Sequence, residues 1–127
     1  DRVVGPGDNW PLRYLWEHVD QATVWPRLKA LLAEALAGVA PRLRPREGSH
    51  PFALLGFDVL LSAELVPCLC EINANPTLEA KRSIDREVDL EVVGDLLSSL
   101  EGQAVSRWEA LSCPEPEHAV AASHLVR

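Results

Sequence analysis

Two short apolar segments decide the fold of this chain: Gly56-Phe57-Asp58-Val59-Leu60-Leu61 and, a few residues later, Cys68-Leu69-Cys70-Glu71-Ile72-Asn73. The first lies in a run typical of a β-strand, about 52–61, and the second overlaps another such run, about 66–72. The short connection 62–64 favours an antiparallel hairpin. Both runs are apolar at most positions, which predicts strands covered on both faces. A buried, ionised carboxylate without a partner is costly, so acidic residues inside such strands suggest a bound cation.

The polar residues of the hairpin are spaced to converge. Side chains two apart on a strand share a face, so Glu71 and Asn73 project together. If the numbers of paired residues add to about 129, Asp58 lies opposite Glu71. Two carboxylates and an amide are hard oxygen donors suited to Mg²⁺, whereas no nearby histidines or thiolates have the spacing of a zinc site. Spacing alone leaves open a structural alternative, in which Asp58 and Glu71 only hydrogen-bond to backbone at strand ends.

Helical segments flank the hairpin. Apolar residues recur with a 3.6-residue period from about Thr23 to Gly38, with Pro26 in the first turn, and again from Ile84 to Leu100, where Ser83 is a candidate cap. The predicted buried stripe of the second segment is Val88, Val92, Val93, Leu96, Leu97 and Leu100. The fold class is therefore α+β. Residues 1–101 are expected to form the C-terminal portion of a larger domain, and the C-terminal tail over 102–127 lacks periodicity and is expected to be disordered.

Composition narrows the classes of function. The formal net charge is −7, with a balance of +1 over residues 1–50 and −8 over residues 51–127, and this argues against nucleic acid as a partner. No segment has the length and apolarity of a membrane span, and no signal peptide is recognised. The three cysteines are an odd number and Cys68 and Cys70 lie on one strand face, which favours a reduced, cytoplasmic protein. The chain also lacks methionine, and we expect it to be a piece of a longer protein.

A family resemblance rests on the hairpin and on the residues directly after it. The G-F-D strand, the return strand Leu65–Cys70 and the run Glu71-Ile72-Asn73-Ala74-Asn75-Pro76-Thr77-Leu78 resemble the C-terminal signature of the tubulin–tyrosine ligase-like family. The resemblance covers about residues 9–100. It implies part of an ATP-grasp fold, with Asp58, Glu71 and Asn73 as magnesium ligands and Asn73 also in the nucleotide-binding site.

The resemblance also implies a reaction. ATP would phosphorylate an acceptor carboxylate in an acidic tubulin tail, and the amine of free glutamate would attack the acyl-phosphate, as in polyglutamylating members. Expected partners are tubulin tails or microtubules, ATP and glutamate, with location in the cytoplasm and cytoskeleton, including the cilium or basal body. No residue is assigned as catalytic.

Departures from the family pattern keep other functions open. The return strand has Val66-Pro67-Cys68 in place of Lys-Pro-Trp, Asp89 replaces a common lysine, and the family's nucleotide-gripping residues are absent. We therefore expect the 127 residues alone to be inactive and to bind neither ATP nor microtubules tightly. The alternatives are a truncated or non-catalytic relative acting as a binding module, and an ATP-grasp ligase for another peptide or small-molecule carboxylate.

Overall fold

The computed structural model describes residues 12–39, 52–78, 83–105, 108–109 and 111. Its elements are two helices, α1 (Leu12–Leu15) and α2 (Gln21–Val39), the strands β1 (Gly56–Leu61) and β2 (Pro67–Asn73), and the helix α3 (Ser83–Leu100). The chain divides into two compact units. One contains α2 and the hairpin, and the other contains α1 and α3.

The first unit is built on the apolar stripe of α2. Val24, Leu28, Leu32 and Leu36 follow one another at four-residue intervals and are its buried side chains, as the periodicity predicts. The helix contacts β2. It begins at Gln21, so Pro26 lies in its second turn and the expectation of a first-turn proline is wrong.

The hairpin is confirmed as a two-stranded antiparallel sheet. Each strand alternates between half-buried and exposed side chains over most of its length. The half-buried face carries Val59, Leu69 and Ile72, and the opposite face is exposed. The prediction of strands covered on both faces is therefore wrong for the described part of the chain, in which one helix packs on one side of the sheet.

In the second unit, α3 extends over the predicted segment and includes Ser83 in its first turn rather than as a preceding cap. Only part of the predicted buried stripe is confirmed. Val88, Val92 and Leu96 are half-buried, whereas Val93, Leu97 and Leu100 are 36%, 57% and 51% exposed. Successive residues of a helix are about 100° apart, so the predicted stripe is wider than the face that α3 covers.

The structure also bears on the remaining expectations. No helix among the described residues combines the length and apolarity needed to cross a lipid bilayer. Most of the predicted tail lies outside the described residues, as does Cys113. The small α+β architecture with a two-stranded antiparallel sheet is confirmed.

Candidate metal-binding site

The strand pairing brings the predicted ligands together. Gly56 pairs with Asn73, and Asp58 pairs with Glu71. These pairs have the predicted register, in which residue numbers add to 129. All three polar side chains are exposed on the same side of the hairpin. The sequence prediction that two carboxylates and an amide converge across two neighbouring strands is confirmed.

A β-bulge lies directly beside this group. The ladder shifts register between Asp58 and Val59, and Val59 pairs with Leu69, so Cys70 is an extra residue in β2. Cys70 and Glu71 are both exposed, although they are neighbours in sequence. A bulge places two residues of one strand opposite one residue of the other and re-aims their side chains, and it is common beside functional sites.

The two carboxyl groups interact with each other. A hydrogen bond with the Glu71 carboxyl group raises the pKa of Asp58 above its ordinary value of 3.8, with smaller contributions from desolvation and from the negative charge of Glu71. Close carboxylates resist ionising together, so a shared proton or a bound cation stabilises the pair. On the other side, Asn73 Nδ2 donates a hydrogen bond to Glu71 Oε1 at 3.0 Å.

The predicted ligands are open to solvent. Asp58, Glu71 and Asn73 are exposed in the described structure, so the expectation that burial forces them to bind a cation is wrong. A cation at this place would instead be held by the proximity of the two negative charges. An exposed site remains open to water and to substrate oxygens, which Mg²⁺ usually keeps among its ligands.

The donor set fits Mg²⁺ better than a softer metal. It consists of carboxylate oxygens from Asp58 and Glu71 and of the amide oxygen of Asn73, Oδ1. Asn73 uses its other amide atom, Nδ2, to donate the hydrogen bond to Glu71. Within the described ranges, no group of three or more His, Cys, Asp or Glu side chains is arranged to hold a metal. A zinc site usually needs four such ligands or three with water, whereas Mg²⁺ is often held by one or two carboxylates plus substrate phosphates.

Sequence reasoning missed two features next to the ligands. Gly56 leaves little room: a Cβ there would lie 3.1 Å from Pro76 Cβ and 3.7 Å from Asn73 Cβ. The G-F-D signature contained this signal, because an isolated glycine in a strand marks a close approach. The second feature is Cys70, whose place in a bulge has no local sequence signal. Both Cys68 and Cys70 are free and exposed.

Comparison with known proteins supports the resemblance. Residues 4–107 match the tubulin-tyrosine ligase family. The chain is 25% identical over 109 residues to the mouse (Mus musculus) protein "Tubulin monoglutamylase TTLL4", covering 77% of this chain and 9% of that protein. It is 28% identical over 100 residues to the human (Homo sapiens) "Probable tubulin polyglutamylase TTLL2", covering 75% of this chain and 17% of that protein.

A third relative is the mouse "Tubulin polyglutamylase TTLL11", 29% identical over 102 residues, with 62% of this chain and 14% of that protein covered. The chain therefore spans less than a fifth of the length of these relatives. No solved structure matches it. Because the family match extends over most of the chain and includes the whole hairpin, the chain belongs to the tubulin-tyrosine ligase family.

Proposed function

We propose that this chain supplies the metal-binding hairpin of an ATP- and Mg²⁺-dependent ligase with a partial ATP-grasp fold, which adds glutamate to glutamate side chains of tubulin tails. The observation that supports it most directly is the pairing of Asp58 with Glu71, with Asn73 hydrogen-bonded to Glu71. Relatives of this chain are named as tubulin monoglutamylases and polyglutamylases. Because the chain covers only a fraction of those relatives, the activity is proposed for the protein that carries this segment.

The proposed roles of the residues follow from their chemistry. Asp58 and Glu71 provide negative oxygens, and Asn73 orients Glu71 through its Nδ2 donor and contributes Oδ1 toward the metal and its nucleotide. When bound there, Mg²⁺ would neutralise charge on the ATP phosphates and help position them for transfer. The hairpin would therefore hold the phosphate end of ATP near the acceptor carboxylate, with the side chains exposed to both.

The proposed reaction has two steps, a phosphoryl transfer and an acyl transfer. An acceptor carboxylate oxygen takes the terminal phosphoryl group and ADP leaves. The amine of free glutamate then attacks the acyl carbon, phosphate leaves with the bonding electron pair, and the amine loses a proton, giving an isopeptide bond. Because tubulin is the proposed acceptor, the proposed location is the cytoplasm and the cytoskeleton.

Metal binding by the chain itself provides the first test. We expect Mn²⁺, measured by water-proton relaxation and displaced by Mg²⁺, to bind the 127-residue chain. Asp58→Asn and Glu71→Gln should each weaken that affinity by at least about tenfold, since a lost ligand costs no less than a lost outer-shell partner. Glu64→Gln is the matched control, because Glu64 is an exposed carboxylate of the same hairpin outside the ligand group. Equal affinities in all four proteins would refute the metal site.

Ligation provides the second test. The protein that carries this segment should incorporate labelled glutamate into tubulin when ATP and Mg²⁺ are present, and Glu71→Gln should abolish incorporation without changing the circular dichroism spectrum. Metal binding without incorporation would favour a non-catalytic relative that acts as a binding module. Incorporation into small peptides but not into tubulin would favour a ligase for another carboxylate.

A further inference from the structure

The hairpin turn is fixed by a residue from α2. Arg27 donates two hydrogen bonds from one guanidinium nitrogen, to the backbone oxygens of Glu64 at 3.2 Å and Leu65 at 3.0 Å. Leu65 has a φ of 60°, a conformation that is uncommon for a residue with a branched side chain. Hydrogen bonds from a charged donor are stronger than neutral ones, so Arg27 stabilises a turn that is otherwise strained.

The turn also has its own internal bonds. Ser62 Oγ accepts hydrogen bonds from the N–H groups of Glu64 and Val66, each at 3.2 Å. The backbone N–H of Ser62 donates to the Val66 oxygen, and that of Leu65 donates to the Ser62 oxygen, both at 3.0 Å. These contacts define one turn geometry, and a turn geometry fixes the register of the strands that it joins.

The two halves of the hairpin have different registers. Next to the turn, Leu61 pairs with Pro67 and Leu60 with Cys68, so the numbers of paired residues add to one less than at Asp58 and Glu71. The difference is absorbed by the extra residue, Cys70. If the turn were free, the register of the ligand half could continue to the turn and the bulge would disappear. Leu69 would then move from the half-buried face to the exposed one.

We propose that Arg27 is a positioning residue for the metal ligands: by fixing the turn, it holds the bulge at Cys70 and the angle at which Glu71 meets Asp58. This inference rests on the proposed metal site. A hairpin without the Arg27 contacts would also populate the register without the bulge, which keeps Asp58 opposite Glu71 but changes the angle of the Glu71 side chain. The apparent affinity for a metal would then fall with the fraction of molecules that keep the bulge.

The test compares two substitutions of Arg27 in the 127-residue chain, with Mn²⁺ as the probe. We expect Arg27→Met to weaken Mn²⁺ binding by about two- to tenfold, as the competent fraction falls, and Arg27→Lys, which keeps a charged donor, to restore most of it. Electrostatics alone predicts the opposite sign, because removing a positive charge from the same unit of the chain favours the binding of a cation. Ala30→Gly is the control, because it destabilises α2 at an exposed position whose methyl side chain cannot hydrogen-bond to the turn.

Register provides a readout that does not depend on metal. In the wild-type chain, nuclear Overhauser contacts should connect Leu60 with Cys68, and in Arg27→Met a second set should connect Leu60 with Leu69. Deletion of Cys70 makes the two registers agree, so Mn²⁺ affinity in that background should no longer depend on Arg27.

The outcomes separate this inference from the metal site itself. Unchanged or tighter Mn²⁺ binding in Arg27→Met, or an equal loss in Ala30→Gly, would overturn the role of Arg27. So would a single set of Leu60 contacts in both proteins. If the wild-type chain bound no Mn²⁺ while Arg27→Met still shifted the register, the metal site would be refuted and Arg27 would be a structural residue of the hairpin.

Discussion

Leu32 is the side chain whose truncation should reveal how much the α2–hairpin unit depends on its small core. It lies in the middle of the buried stripe and is 1% exposed, so Leu32→Ala loses the full transfer free energy of three carbon groups. At about 0.8 kcal/mol for each group, this amounts to about 2.4 kcal/mol. Incomplete collapse of the cavity adds to the cost, giving a total of about 2.5–4 kcal/mol.

Urea unfolding monitored by circular dichroism measures this loss. Leu90→Ala in α3 is the matched control, because Leu90 is 63% exposed and leucine and alanine are both good helix formers. This substitution should lower the free energy of unfolding by no more than about 0.5 kcal/mol. A cost below about 1 kcal/mol for Leu32→Ala, or equal costs for the two variants, would contradict the close packing of this stripe. Mn²⁺ affinity, measured below the unfolding transition, should be unchanged in both variants, because neither residue belongs to the ligand group.

Three further predictions concern the site and the helix beneath it. In scanning calorimetry, Asp58→Asn should raise the melting temperature at pH 7 and leave it unchanged at pH 3. The raised pKa of Asp58 means that the folded chain binds this proton more tightly than the unfolded chain does. The wild-type chain therefore loses stability as the pH rises above 3.8 and through the raised pKa. Gly56→Ala should weaken Mn²⁺ binding and lower the melting temperature, because its Cβ would lie 3.1 Å from the rigid Pro76 ring; unchanged values would show that the ring can move. Pro26→Ala should stabilise the chain by about 1–3 kcal/mol in urea unfolding, since it restores a backbone donor in the second turn of α2, and a destabilised variant would show that the proline is accommodated without cost.

Local sequence signals account for most of what could be predicted. The four-residue spacing of the buried α2 side chains gives a clear helical period, and two β-like runs with a short connection give the hairpin. The same alternation predicts that Glu71 and Asn73 share a face. The predicted start of the first strand near Phe52 is wrong, because β1 begins at Gly56. Apolar residues extend beyond the paired region, and apolarity alone does not mark where pairing begins.

The bulge and the contacts of Arg27 with the turn depend on residues distant in sequence, so no local pattern contains them. Arg27 precedes Glu64 by 37 positions, and its bonds go to backbone oxygens, which leave no trace in the side chains of the turn. The prediction of strands covered on both faces failed for a different reason. A run of apolar residues is compatible with cover on one face or on both, and only the packing of α2 on one side distinguishes them. The prediction of a buried site failed for that reason.

The interaction between Asp58 and Glu71 offers a way to distinguish a binding site from a structural pair. The interaction with Glu71 raises the pKa of Asp58. At neutral pH this interaction lowers the stability of the folded chain, because the repulsion between the two charges remains until a proton or a cation binds. Removing one charge should therefore stabilise the metal-free chain and weaken its affinity for divalent ions. If the pair were only structural, removing one of its members would remove a stabilising contact. Stability would then fall whether or not metal is present, and it would not change in the opposite direction to affinity. Opposite signs for stability and affinity at Asp58 would mark this pair as one kept for binding.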